Sequence, residues 1–195
     1  MDAVVAVVVL ANNDANKFPH SAPPRQWSVY LSGEIHSPWR SELAEAVSHL
    51  PVTLTGPNDD HALSDDAGAM IHGAVPTRPH WDNIGARLNG LRTTTNLKEA
   101  DLVVVKFGEK YRQWNAAFEA GYASALNIPI ITIHPSSISH MLKEVNANAT
   151  MAVESVDQVA AALDYTINGT VPATPEDWTP SENIWGKGNP NPGGK

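Results

Sequence analysis

The chain has no cysteine, an excess of acids over bases, and no apolar run long enough to cross a bilayer. Without cysteine, disulfides, thiolate metal sites and cysteine nucleophiles are excluded. The lack of disulfides fits a cytoplasmic protein. Thirteen Lys and Arg stand against 21 Asp and Glu, a formal charge of −8. That balance argues against a protein that grips a nucleic-acid polymer, but it leaves room for a pocket holding one nucleotide. The opening "MDAVVAVVVLANND" is too short for a membrane span and carries an Asp where a signal peptide carries positive charge. It reads as an extra strand or a leader packed on the domain, with a secretory signal as the lesser alternative. There is no internal repeat and no GxGxxG or Walker pattern.

What is present suits one domain with a single core: 195 residues, 42% of them hydrophobic. Residues 1–25 form an N-terminal extension whose part from Asn12 to Arg25 is a polar, Pro-containing linker, 26–168 the domain, and 169–195 a Pro-, Gly- and Asn-rich tail whose Trp178 and Trp185 could anchor it. Within the domain "WSVYLSG", "VTLTG", "DLVVVKF", "PIITIHP" and "TMAVE" read as strands. "SPWRSELAEAVSHL" reads as a helix with Ser37 as cap and Pro38 at its first position. Residues 57–81 read as acidic and irregular, with a turn or two of helix from Asp65 to His72. "WDNIGARLNGLRTTTNLKEA" has helical spacing through Ile84, Leu88, Leu91 and Leu97. A further helix carries "QWNAAFEAGYA", a short one is expected from Ser137 to Val145, and Ser155 with Gln158 reads as a capping box before a closing helix.

Strands alternating with helices imply an α/β fold: a flavodoxin-like (Rossmann-like) three-layer sandwich with a five-stranded parallel sheet of order 2-1-3-4-5. In such sheets the ligand sits beyond the C-terminal strand ends, where strand order reverses. That brings "SGEIHSPW" and "GEKYRQW" together, and Gly108 of the second loop is a candidate binding residue.

Glu119 stands among small and apolar neighbours, about one turn into its helix. By composition alone a solvated surface residue is the expectation, because most glutamates are solvated. Glu34 and His36 in the first loop could supply an acid and a proton donor, or respectively face solvent and support the helix start. Arg40 could reach a phosphate or pair with an acid. Asp59, Asp60, His61, Asp65 and Asp66 could hold a cation, yet their spacing is not diagnostic, and no metal or other cofactor is expected.

The stretches "YLSGEIHSPWR", "LTGP", "LNGLRT" and "FGEKYRQWNAAFEAGYA", in that order, resemble the YtoQ family within the nucleoside 2-deoxyribosyltransferase-like superfamily. The resemblance runs from about Trp27 to Ile167. It implies that Glu119 is the nucleophile, that Tyr30 orients it, and that Gly33 lets the backbone approach a sugar. Glu34 would replace a missing acid. It also implies a homo-oligomer and a small-molecule nucleoside, nucleotide or phosphosugar as partner, and it makes Asp65 a candidate for a substrate lid. The departures are informative. The first strand, "VYLSGE" here, usually reads Tyr–Leu–Ala–Gly in the transferases. Gln113, followed by Trp114 and Asn115, occupies the place of a sugar-binding aspartate. Asn89, Arg92 and Thr93 occupy the region of another aspartate, which in the transferases helps to protonate the leaving base. An arginine there suggests a more anionic ligand, or a salt-bridged structural residue. Trp114 could stack on a base or pack against the sheet. Hydrolysis and base exchange stand level as expectations. The competitors are a non-catalytic module that binds a nucleotide-like metabolite and a metal-dependent hydrolase built on the acidic loop.

Overall fold

A computed structural model of the chain describes residues 25–58, 60–73, 77–110 and 113–173, with the backbone alone for 61–63 and 65. The expectations for the first 14 residues and for Trp178 and Trp185 lie outside the described residues. Five strands form one sheet: β1 Trp27–Gly33, β2 Val52–Thr55, β3 Leu102–Lys106, β4 Ile130–Ile133 and β5 Met151–Val153. Every pair is parallel and the order is β2-β1-β3-β4-β5. The flavodoxin-like expectation holds, including the reversal of strand order between β1 and β3.

Among the described residues there are six α-helices, α1 Trp39–Ala46, α2 His61–His72, α3 Arg78–Glu99, α4 Trp114–Ala125, α5 Lys143–Ala147 and, after the last strand, α6 Val156–Asn168. A 3-10 segment, Ser136–Leu142, leads into α5. Period-two alternation sorts the strand side chains between two layers. Val29, Leu31, Val104, Ile131 and Ile133 meet Trp39 and Leu43 of α1 and Leu163 of α6. Tyr30, Val103, Val105 and Ile130 meet Leu97 of α3 and Ala116, Ala120 and Ala123 of α4. Among the described residues no helix is long and apolar enough to cross a membrane.

Three local expectations are corrected. Ser37 does not cap α1, whose N-cap is Pro38 and has no side-chain cap bond; the Ser37 hydroxyl donates to the Glu34 carboxylate. The described part of 57–81 is mostly helical rather than irregular. Asn58 Oδ1 accepts from the Asp60 amide, and a three-turn α2 runs from His61. It packs so closely on α3 that a Cβ on Gly68 would lie 2.7 Å from the Gly85 nitrogen. The third correction is the start of α3, at Arg78, because Pro79 in the first turn has no hydrogen bond to lose. At the far end, α6 carries the expected capping box: the Ser155 hydroxyl accepts from the Gln158 amide and Gln158 returns the bond.

Candidate functional site

Beyond the C-terminal ends of β1 and β3, an open crevice of about 440 Å³ is bounded by the β1–α1 loop, α3 and the start of α4. Gly33 ends β1 with φ +103°, and a Cβ there would lie 2.0 Å from the Lys106 carbonyl oxygen. Only glycine allows this approach of β1 to β3, from which the loop turns away with the Glu34 amide donating to the same carbonyl.

Glu119 lines the crevice from the second turn of α4. The helix comes close to the sheet because the residues beneath it are alanines. Tyr30 and Ser32, two apart on β1, point toward the same layer, and both are 0% exposed. The Ser32 hydroxyl donates to Glu119 Oε2 at 2.5 Å. The Tyr30 hydroxyl lies near enough to the Glu119 carboxylate and Thr93 to interact with both, but meets neither in full hydrogen-bond geometry. Burial raises the pKa of Glu119; Ser32, Tyr30 and the charge of Arg40 offset this only in part. Burial and the adjacent carboxylate push Tyr30 up to about 12, so its hydroxyl stays protonated over the physiological range.

Glu34 is occupied differently from Glu119. Its carboxylate accepts from the His36 amide and the Ser37 hydroxyl. Its carbonyl accepts from Trp39 Nε1 at 2.6 Å and from Arg40 at 2.7 Å. Burial pulls its pKa up, but the bonds from Ser37 and His36 and the charge of Lys106 outweigh it, and the carboxyl lies below its ordinary value. A carboxylate so held is a brace for the loop and a poor proton donor at neutral pH. Arg40 also donates to the Gly33 carbonyl, so it ties the loop together from beneath.

Of the other sequence candidates, Gly33, His36, Asn89, Arg92, Gln113, Trp114 and Asn115 all line the crevice. Trp114 is 70% exposed at its rim, and so is not packed against the sheet. Arg92 donates to the Gly56 carbonyl at 2.6 Å and forms no ion pair among the described residues. Gly108 lies beside the crevice, where a Cβ would press on Glu34 Cγ at 3.1 Å. Asp65 is on α2, and its side chain lies outside the described residues, as do those of His61 and Asp59. Elsewhere in the acidic stretch Asp66 pairs with Arg78 at 3.5 Å, and no group of three metal-ligating residues forms among the described residues.

A second hollow of about 680 Å³ adjoins the first, sharing Pro57, Asn58, Ser64, Asn89 and Arg92 with it. Leu91, one of the helically spaced apolar residues of α3, is 65% exposed and lines this hollow. Sequence reasoning missed Ser32 and Asn58. The signal for Ser32 was present, since a residue two after Tyr30 on a strand shares its face.

The fold and crevice together define a parallel α/β protein with a half-buried carboxylate at the switch point of its sheet. Residues 30–167 match the family model described as nucleoside 2-deoxyribosyltransferase YtoQ, and the chain belongs to that family. The "Uncharacterized protein YtoQ" of Bacillus subtilis (strain 168) is 43% identical over 142 residues, 72% of this chain and 96% of that one. Among solved structures, a 2-deoxyribosyltransferase from Bacillus psychrosaccharolyticus is 15% identical with a TM-score of 0.46, covering 68% of this chain and 90% of its own. A conserved protein from Enterococcus faecalis V583 is 16% identical with a TM-score of 0.44, covering 70% and 96%.

Proposed function

We propose that this nucleoside 2-deoxyribosyltransferase-like protein is an enzyme that breaks the N-glycosidic bond of a nucleoside or nucleotide, with Glu119 as nucleophile. The observation that carries the reading is the setting of Glu119, a carboxylate in the crevice with hydroxyls of β1 behind it. A Glu119 oxygen bonds to the anomeric carbon as the C–N bond breaks, and the electron pair leaves with the base, which takes up a proton. Water then resolves the glycosyl ester, returning the carboxylate and releasing a proton; a second base in place of water gives transfer. Tyr30, kept neutral, orients the carboxylate, and Gly33 lets the sugar approach the backbone.

Arg92 and Asn89 read the substrate from α3, while Gln113, Trp114 and Asn115 do so from the start of α4. With its guanidinium free of any carboxylate among the described residues, Arg92 suits a phosphate on the substrate. No cofactor enters the proposed chemistry. The reading extends to a cytoplasmic homo-oligomer without a nucleic-acid polymer partner; gel filtration with light scattering tests the assembly.

A second reading, a module that binds a nucleotide-like metabolite without turning it over, is favoured by one observation. Glu34, the other carboxylate lining the crevice among the described residues, is committed to the start of α1.

The deciding experiment sets wild type and Glu119→Ala against nucleosides, nucleoside monophosphates and phosphosugars, following both binding and release of free base. Release by wild type with binding alone in the variant supports the enzyme. Equal binding and no release by either supports the second reading. Arg92→Gln is expected to weaken a monophosphate about tenfold while sparing the matching nucleoside.

A further inference from the structure

We infer that Ser32 is a positioning residue for Glu119: its buried hydroxyl pins one carboxylate oxygen from the C-terminal end of β1. The inference rests on the reading of Glu119 as nucleophile and adds to it a residue that the resemblance does not bring, since the strand it resembles carries alanine there.

Three observations meet at this hydroxyl. Ser32 is 0% exposed, so its polar group must find a protein partner or pay for desolvation. It finds Glu119 Oε2 at 2.5 Å, the short range of a hydroxyl donating to an ionised carboxylate. Among the described residues this is the one fully formed hydrogen bond to the Glu119 side chain: Tyr30 falls short of good geometry, and Arg40 contributes through its charge. Residues 32 and 119 lie 87 positions apart, so the bond also fixes how α4 faces β1.

The chemical consequence follows from what a buried carboxylate needs. A donor favours its ionised, nucleophilic form, and losing the donor favours the protonated one. With the Ser32 hydrogen on Oε2, the charged form has a partner and one oxygen is held still, leaving the other to form the bond to the anomeric carbon. The Ser32 proton stays on Ser32 through both half-reactions. It moves no proton itself and acts entirely through Glu119.

The test compares wild type with Ser32→Ala, Ser32→Cys and Ser32→Thr. Cysteine keeps an atom in the place of the hydroxyl oxygen but donates poorly, so it guards against a simple packing defect in the alanine variant; threonine keeps the hydroxyl. Two readouts are used. The first is the titration midpoint of the Glu119 carboxyl, followed by carbon NMR on protein labelled at glutamate and assigned with Glu119→Gln. In Ser32→Ala and Ser32→Cys the midpoint is expected to rise, and in Ser32→Thr to return toward wild type. The second is the pH profile of base release, whose acid limb is expected to move to higher pH with kcat about tenfold lower and KM little changed. An unmoved Glu119 midpoint in folded Ser32→Ala or Ser32→Cys overturns the inference. If the midpoint moves but wild type cleaves no nucleoside or nucleotide, the pinning stands and the glycosidic reading fails, so the two fail separately.

Discussion

Strand β1 sends Val29 and Leu31 to one face of the sheet and Tyr30 and Ser32 to the other, and the two layers they enter differ in kind. On the first face Trp39, Leu43 and Leu163 are 0% exposed and interlock with aliphatic strand residues. On the second, α4 presents Ala116, Ala120 and Ala123, and the space they leave brings a glutamate against two hydroxyls. Large side chains fill one layer and hold the fold. Small ones in the other let a helix come close enough to set a charged group. The first layer is not idle, because the Trp39 indole donates to the Glu34 carbonyl and so steadies the loop over the crevice.

If that division is right, the two faces answer mutation differently. The largest loss of stability belongs to the aliphatic layer. Leu163→Ala leaves a cavity among fully buried neighbours and is expected to cost about 2–5 kcal/mol. Chemical denaturation measures it, and crevice ligands should still bind the folded fraction with unchanged Kd. A changed Kd would mean that the layers are coupled through more than the Trp39 contact.

In the polar layer the sign reverses. The folded-state pKa of Glu119 is raised above its unfolded value. Between the two values the folded chain therefore binds more proton than the unfolded one, and stability falls as pH rises through that interval. Glu119→Gln removes this cost: it is expected to be more stable than wild type at neutral pH, the gap closing below the ordinary carboxylate range. Thermal melts from pH 3 to pH 8 read it. The same substitution should abolish any base release. A Gln variant less stable at neutral pH would show that the charge supports the fold, and the contrast between the layers would be lost.

A smaller effect is expected at the edge of the aliphatic layer. Ser155→Ala removes the hydroxyl half of the capping box on α6 and should cost about 1 kcal/mol, readable by denaturation at any pH where the fold holds. Its side is the one most legible in sequence. Apolar strands, a capping box and a stop at Gly169 are local patterns, and the α6 region folds as they dictate. The sheet order was legible too, because parallel strands with right-handed crossovers leave few arrangements. The crevice was legible only in part. Its loops follow from the switch point, but the commitment of Glu34 to Ser37 and the exposure of Leu91 depend on how distant elements meet. The extent of α2 escaped because an acidic composition hid a helix made by packing Gly68 on Gly85.

The smallest change in stability and the cleanest separation of fold from function come together at Tyr30. Its ring fills the second layer, while its hydroxyl is buried without a well-formed hydrogen bond. Removing such a hydroxyl discards a group that already bears its desolvation, so Tyr30→Phe should leave stability within about 0.5 kcal/mol of wild type. Function should not be spared. The hydroxyl, with its pKa pushed up to about 12, is the second donor facing Glu119, and the proposed function gives it the task of orienting the carboxylate. Turnover should therefore fall about tenfold or more while the melting temperature holds. A Phe variant that loses several degrees would instead assign Tyr30 to the packing of its layer. The polar face would then be a core with a charge beside it, not a site with a core beneath.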